Sequence, residues 1–280
     1  MVCASPRAMA DLEQPFTFSQ SSLQDYADCP RRFQLRYLER LPWPAVETEP
    51  ASEVENRQRD AQLFHRLVQQ HMLGLPAAML APLADSADLK RWWQNFVSGG
   101  PDVGAHALHT ERSLVAPLGE HRLVAKYDLV AVRGGEAVIY DWKTHARRPQ
   151  DAALAARWQT RVYRSMIVRA GAELNEGTSF DPSGVSMIYW FAEFPTQPAR
   201  LSYDAQQYKR DWSAIESLSR EIASAREFPL TEDRRQCRFC TYRSLCDRGE
   251  TAGPWQEADD PAAWGDQVSI DFEQIGEIEF

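Results

Sequence analysis

The order of elements in this chain predicts an α/β domain, and three observations carry that reading. Two β-rich runs lie back to back over residues 121–143, separated by a glycine turn. A helical stretch over 150–170 follows them. Two more strand-like runs, near 184–193 and 199–203, come next and lead into a helix over 204–226. Strands interleaved with helices in this way pack as a sheet with helices on its faces.

The chain ahead of those strands reads as helical. Residues 1–15 show no periodicity and are expected to be disordered. Phe16-Thr-Phe-Ser-Gln-Ser-Ser-Leu-Gln-Asp-Tyr starts a helix, with Ser19 or Ser21 able to cap its first backbone N–H groups. Pro30 has no N–H to lose, so it suits the first turn of a second helix, Arg31 to Leu38. Leu41-Pro-Trp-Pro-Ala then opens a loop. Residues 55–73 and 85–97 repeat apolar side chains at helical spacing, and Gly99-Gly100-Pro101 breaks the pattern. Gly171 is placed to end the 150–170 helix. There is no internal repeat and no G-x-x-x-x-G-K-[ST] loop, so no ATPase motor is expected.

Length and composition set outer bounds. The 280 residues, 44% hydrophobic and 25% charged, match an ordinary globular protein with ample core. No apolar run approaches a membrane span and the N-terminus lacks a signal-peptide core, which makes the cytoplasm the expected location. The net charge of −9 is local. Residues 250–280 hold nine acids and no Lys or Arg, which leaves the rest formally neutral. An acidic total therefore does not exclude a polyanionic substrate. Within that tail Trp255, Trp264, Phe272, Ile275, Ile278 and Phe280 alternate with the acids, a pattern suited to docking a partner.

The hairpin carries the chemistry. Its first run, His121 to Val132, contains Asp128; its second, Glu136 to Lys143, ends in Asp141-Trp142-Lys143; Arg133-Gly134-Gly135 turns between them. Two carboxylates and one ammonium thus enter one small volume. The carboxylates can hold a hard divalent cation, and the lysine can orient a water beside it. Only four lysines (Lys90, Lys126, Lys143, Lys209) stand against twenty-seven arginines, so a lysine at this aspartate is a marked choice.

Cysteine gives a second anchor. Cys237-Arg-Phe-Cys240 and Cys246 have metal-ligand spacing, and Cys29 lies near the other end of the chain. Four thiolates suit zinc and an iron–sulfur cluster equally well. A site uniting Cys29 with the other three would close a loop of about 207 residues, worth roughly 5 kcal/mol in the chain-entropy picture. Cys3 reads as a free thiol.

Taken in order, these pieces resemble the PD-(D/E)XK nuclease superfamily, in particular its RecB-like branch with an iron–sulfur staple. That branch includes the nuclease domains of RecB and AddB and the CRISPR-associated "Cas four" exonucleases. The resemblance spans residues 16–248 and rests on Phe18 to Phe33 with Cys29-Pro-Arg-Arg, His65, Asp128, Asp141-Trp-Lys143-Thr, Gln159-Thr-Arg-Val-Tyr163 and the three late cysteines. It departs in having Ala125-Lys126-Tyr127 before Asp128, and Ala61-Gln62 near His65, where glycine is common.

The resemblance implies a restriction-endonuclease-like mixed sheet flanked by helices. It divides the chain into a helical N-terminal part (16–105), a catalytic core (106–230), a cluster segment (231–248 plus Cys29) and a flexible acidic tail (249–280). It implies Mg²⁺ or Mn²⁺ held by His65, Asp128, Asp141 and the Trp142 carbonyl. Lys143 would serve the attacking water, Gln159 and Tyr163 would wall the site, and Cys29, Cys237, Cys240 and Cys246 would ligate a 4Fe–4S cluster. The activity so implied is metal-dependent DNA cleavage from single-stranded ends, in repair, recombination or CRISPR adaptation. A helicase or CRISPR adaptation proteins would act in trans. The alternative is a stapled DNA-binding or assembly subunit without catalysis. Arg31, Arg32, Arg147 and Arg148 flank these motifs and are candidate phosphate contacts.

Overall fold

The computed structural model describes residues 12, 14–41, 51–104, 107–144 and 146–253, with the side chains of 51–55 left aside. Cys3, most of the expected disordered N-terminus, the loop after Leu41 and the acidic tail beyond Gly253 lie outside the described residues.

Phe16 does not start the first helix. Thr17–Phe18 form a short strand, β1, and Ser19 then caps α1 (Gln20–Asp28) through a reciprocal box with Ser22. Pro30 opens α2 (Pro30–Phe33), which continues as a π-helical turn, Gln34–Leu38. Next come α3 (Ala51–Met72), the single turn α4 (Ala77–Leu80) and α5 (Ala87–Gly99), capped by Ser86.

β2 (Ala107–Leu118), β3 (His121–Arg133) and β4 (Glu136–Lys143) form a meander. Its second turn uses Gly134 and Gly135, both at positive φ (58° and 84°), as a twist-matched two-residue hairpin requires. β2 is a strand that periodicity did not predict. Two helices, α6 (Asp151–Ala156) and α7 (Trp158–Ala170), lead to β5 (Val185–Phe191), which runs parallel to β4. β6 (Ala199–Ser202) and α8 (Ala205–Ser224) follow, then the short turns α9 (Arg235–Arg238) and α10 (Arg243–Cys246). The single helix expected over 150–170 is thus two. The chain breaks at Arg157, whose backbone is extended (φ −64°, ψ 146°), and Gln24 accepts from the freed Trp158 N–H at 3.3 Å.

The sheet is mixed, in the order β1-β3-β4-β5-β6, with β2 on β3 as well. One face packs α1, α7 and α8 through residues such as Leu23, Met166, Ile167 and Ile215; the other packs α3 and α5 through Phe64, Trp92 and Phe96. Helix, sheet and helix make three layers, the α/β arrangement expected.

β3 changes partner and face along its length. Arg122 and Leu123 pair with β1, whereas Leu129 to Arg133 pair with β4. Leu123, Ala125 and Tyr127 join the α7-side core, but Leu129 and Ala131 join the α3-side core and Val130 returns to the α7 side. Strict alternation therefore slips by one at Asp128. Across from it on β2, in the register set by Thr110↔Leu129 and Arg112↔Tyr127, stands Glu111 with φ at +51°. A backbone turned into the left-handed region shifts the side-chain phase of both strands here. Asp128 consequently sits at a seam between the two helical layers.

Candidate active site

The pairing of β3 with β4 stops at Leu129↔Tyr140, one residue short of an Asp128–Asp141 pair. Where the ladder ends, the Asp128 side chain replaces it: its Oδ2 accepts the Trp142 backbone N–H at 2.8 Å. The Trp142 ring points away, into the aromatic layer with Tyr140, Phe96 and Trp190. Only the Trp142 backbone therefore serves this corner. From α3, His65 Nδ1 lies 3.2 Å from Asp128 Oδ1. Phe64, fully buried against Trp92 and Trp190, fixes the turn that presents His65.

Asp141 and Lys143 project to the opposite side, toward α7, and are almost fully enclosed, at 3% and 5% exposure. Lys143 Nζ pairs with Asp141 Oδ2 at 2.9 Å. Gln159 Nε2 donates to Asp141 Oδ1 at 2.8 Å. Gln159 reaches it because the break at Arg157 starts α7 only one residue before it. Tyr189, the register partner of Asp141 on β5, closes the floor. Its hydroxyl donates to Gln159 Oε1 at 3.3 Å, lies 2.7 Å from Thr160 Oγ1, and its ring lies 5.7 Å beneath Lys143 Nζ. Sequence reasoning missed Tyr189, since Val-Ser-Met-Ile-Tyr-Trp-Phe reads as an apolar strand with no polar signal. Tyr163, one turn beyond Gln159, packs its ring 4.8 Å from Tyr127, whose hydroxyl donates to the Tyr163 carbonyl at 2.9 Å.

Electrostatics split the two carboxylates. Burial would raise Asp128, but His65 and the Trp142 N–H outweigh it and hold its carboxyl below the usual value. Burial lifts Asp141 well above the usual range, against the pull of Lys143 and with Asp128 adding to the rise. Burial disfavours charge on His65 as well, yet Asp128 holds its pKa up.

Among the described residues, no three His, Cys, Asp or Glu side chains stand in the arrangement of a bound metal ion. Asp128 is turned to His65, and Asp141 to Lys143. The donors still fit a hard divalent cation. Two carboxylates and an imidazole are the donor types such an ion takes, and they lie near enough to act on one another: Asp128 adds to the rise in Asp141, and Asp141 to that in His65. Closing on an ion asks His65 to turn from Asp128 and Lys143 to yield one oxygen.

A family model of the PD-(D/E)XK nuclease superfamily matches residues 17–247. The chain belongs to that superfamily. It is therefore a nuclease, an enzyme that hydrolyses phosphodiesters, and members of the superfamily usually work with Mg²⁺ or Mn²⁺. Among solved structures it is similar to SSO0001 (TM-score 0.39, 14% identity, covering 85% of this chain and 89% of that one). It is also similar to a structure from Eubacterium rectale named "Putative exonuclease" (TM-score 0.49, 12% identity, covering 86% and 91%). Likenesses this distant carry no part of the argument. No curated protein matches the sequence. Among the described residues, no helix of this nuclease is long and apolar enough to cross a membrane.

Away from the PD-(D/E)XK corner, Cys29, Cys237, Cys240 and Cys246 line one pocket with Arg32, Thr231, Gln236 and Arg248, and none of the four is in a disulfide. Burial lifts the Cys240 thiol to about 11 in spite of Arg32, with Cys246 and Cys29 adding to the rise. The candidate phosphate contacts fare unevenly. Arg32 is taken up by Asp25 and Asp28 at 2.8 and 2.6 Å and by its place in the cysteine pocket. Arg148 is bonded to the Gln197 carbonyl and Asp151, and Arg31 to Gln34. Three of the four arginines thus serve internal bonds, which removes the simplest reason to assign them to substrate.

Proposed function

We propose that this nuclease is a Mg²⁺- or Mn²⁺-dependent deoxyribonuclease of the RecB-like type that degrades DNA from single-stranded ends. The observation that carries the reading is the enclosed Asp141–Lys143 pair, braced by Gln159 and facing Asp128 across the splayed strands. Asp128, Asp141 and His65, with the Trp142 carbonyl, would hold the cation. When bound it would polarise the scissile phosphate and lower the pKa of its water. Lys143 then aligns the attacking water and offsets charge growing on the phosphorus-bound oxygens. Gln159 fixes the rotamer of Asp141 so that one oxygen faces the substrate. Tyr163 stiffens the same helix against Tyr127. Removing the brace should be costly but not fatal: Gln159→Ala is expected to lower kcat about 10- to 100-fold, as loss of a ligand's outer partner usually does, read by steady-state cleavage.

The four cysteines fit a 4Fe–4S cluster better than zinc. A cubane binds each thiolate to a different iron, whereas zinc gathers all four about 2.3 Å from one centre. The resemblance to the iron–sulfur-stapled branch, carried by Cys29 and the three late cysteines, is what favours the cluster. Brown colour and charge-transfer absorbance in protein purified without oxygen support the cluster; colourless protein with one zinc opposes it.

Digestion of end-labelled single- and double-stranded DNA, blocked at either end, tests the activity. Metal-dependent shortening of single strands from an open end is the expected result. Equal attack on circular single strands would remove the exonuclease reading, and no cleavage with either metal would remove the whole.

A further inference from the structure

The cysteine pocket holds a cation as well as thiols, and the chain turns back on itself to put it there. Helical turn α10 ends at Cys246, and Asp247 follows with left-handed backbone, φ 45° and ψ 45°. That conformation reverses the chain, as at many helix ends, and carries Arg248 to the wall of the pocket. Its Nη1 donates to the Thr231 carbonyl at 2.6 Å and to Cys237 Sγ at 3.6 Å, a normal reach for an acceptor as large as sulfur. Arg234 fixes the other end of the residue by donating to the Arg248 carbonyl at 2.7 Å. Cys237 is buried, so the bond to its sulfur is made where water competes little.

Two charged neighbours are already engaged. Arg32, which also lines the pocket, is offset by Asp25 and Asp28 at 2.8 and 2.6 Å. Glu250 is paired with Arg234 at 2.9 Å. Arg248 bonds a neutral carbonyl and a thiol, so its charge acts on the sulfur. We propose that Arg248 is a positioning residue for the cysteine-held cluster: its N–H at Cys237 Sγ favours the more negative redox state and raises the potential at which the cluster accepts an electron. Hydrogen bonds to ligand sulfurs are among the levers that set such potentials. The step is transfer of one electron from a small-molecule reductant to the iron core, with no bond made or broken and no proton moved. The inference rests on the iron–sulfur reading and is independent of the nuclease chemistry.

The test is a redox titration of full-length protein purified without oxygen, followed by cluster absorbance and electron paramagnetic resonance, in wild type, Arg248→Met and Arg248→Lys. Arg248→Met keeps the length of the side chain but removes its charge and its donor. It should weaken the reduced state about tenfold, a fall of about 59 mV in the midpoint of a one-electron couple. Arg248→Lys keeps a charged donor and should recover at least half of that shift. A purely structural role would lower iron content and melting temperature while the clusters that remain keep the wild-type midpoint. Brown protein with one midpoint in all three forms, or a cluster that takes no electron in any of them, would overturn this inference and leave the cluster reading standing. Colourless wild-type protein with one zinc would overturn both.

Discussion

Lys143→Ala should lower the cleavage rate about 10²- to 10³-fold, the usual scale for removing one group that stabilises transition-state charge. The effect should be large because the ammonium is held in one place. Asp141 pairs with it at 2.9 Å, the Tyr189 ring lies beneath it, and little water reaches it. An enclosed charge acts at low local dielectric, where its pull on a developing oxyanion is several times that in water. Lys143→Arg should not rescue the loss, since a broad guanidinium cannot occupy a seat shaped for a compact charge. Asp141→Ala should be as inactive, by losing a donor of the proposed cation site. Single-turnover cleavage, alongside circular dichroism that stays as in the wild type, checks the pair. Full activity in either variant would remove Asp141 and Lys143 from the mechanism.

Cys29→Ser should destabilise the fold, by up to about 5 kcal/mol, if the thiolates close the long loop between the ends of the domain. Part of that loss is buffered. Phe33 stacks on Phe228 with centroids 6.1 Å apart, and the Tyr26 hydroxyl donates to Glu221, so α1 and α2 keep other ties to the C-terminal half. The urea midpoint should fall markedly, and protease should cut first around α1 and α2. A midpoint equal to the wild type's would show that the cysteines bear no structural load. The Asp128–Asp141 corner draws nothing from this pocket directly, so stability should fall before chemistry does.

The hairpin was legible because its signals are local. Gly134-Gly135 demands a particular turn, the turn sets the register, and the register brings Asp128 to the level of Asp141. The Ser19 and Ser86 caps and the Pro30 start are equally local. β2 escaped notice for a physical reason. Among the described residues it pairs with β3 alone, so polar side chains and Pro117 cost it little and its alternation is weak. The break at Arg157 involves neither Gly nor Pro, and no propensity marks it. His65 meets Asp128 across 63 residues, a contact that no periodicity reaches; only the order of family motifs pointed to it. Tyr189 had no signal at all, because what brings it to the site is its neighbour on the next strand.

The central claim is that Asp128, Asp141 and His65 form one divalent-cation site. Titration with Mn²⁺, followed by the electron paramagnetic resonance of the free ion, tests it without any substrate. Wild-type protein should take up Mn²⁺, and Asp128→Asn and Asp141→Asn, which keep side-chain shape while removing charge, should each weaken uptake at least about tenfold. Mn²⁺ binding of wild-type strength in both variants would contradict the account.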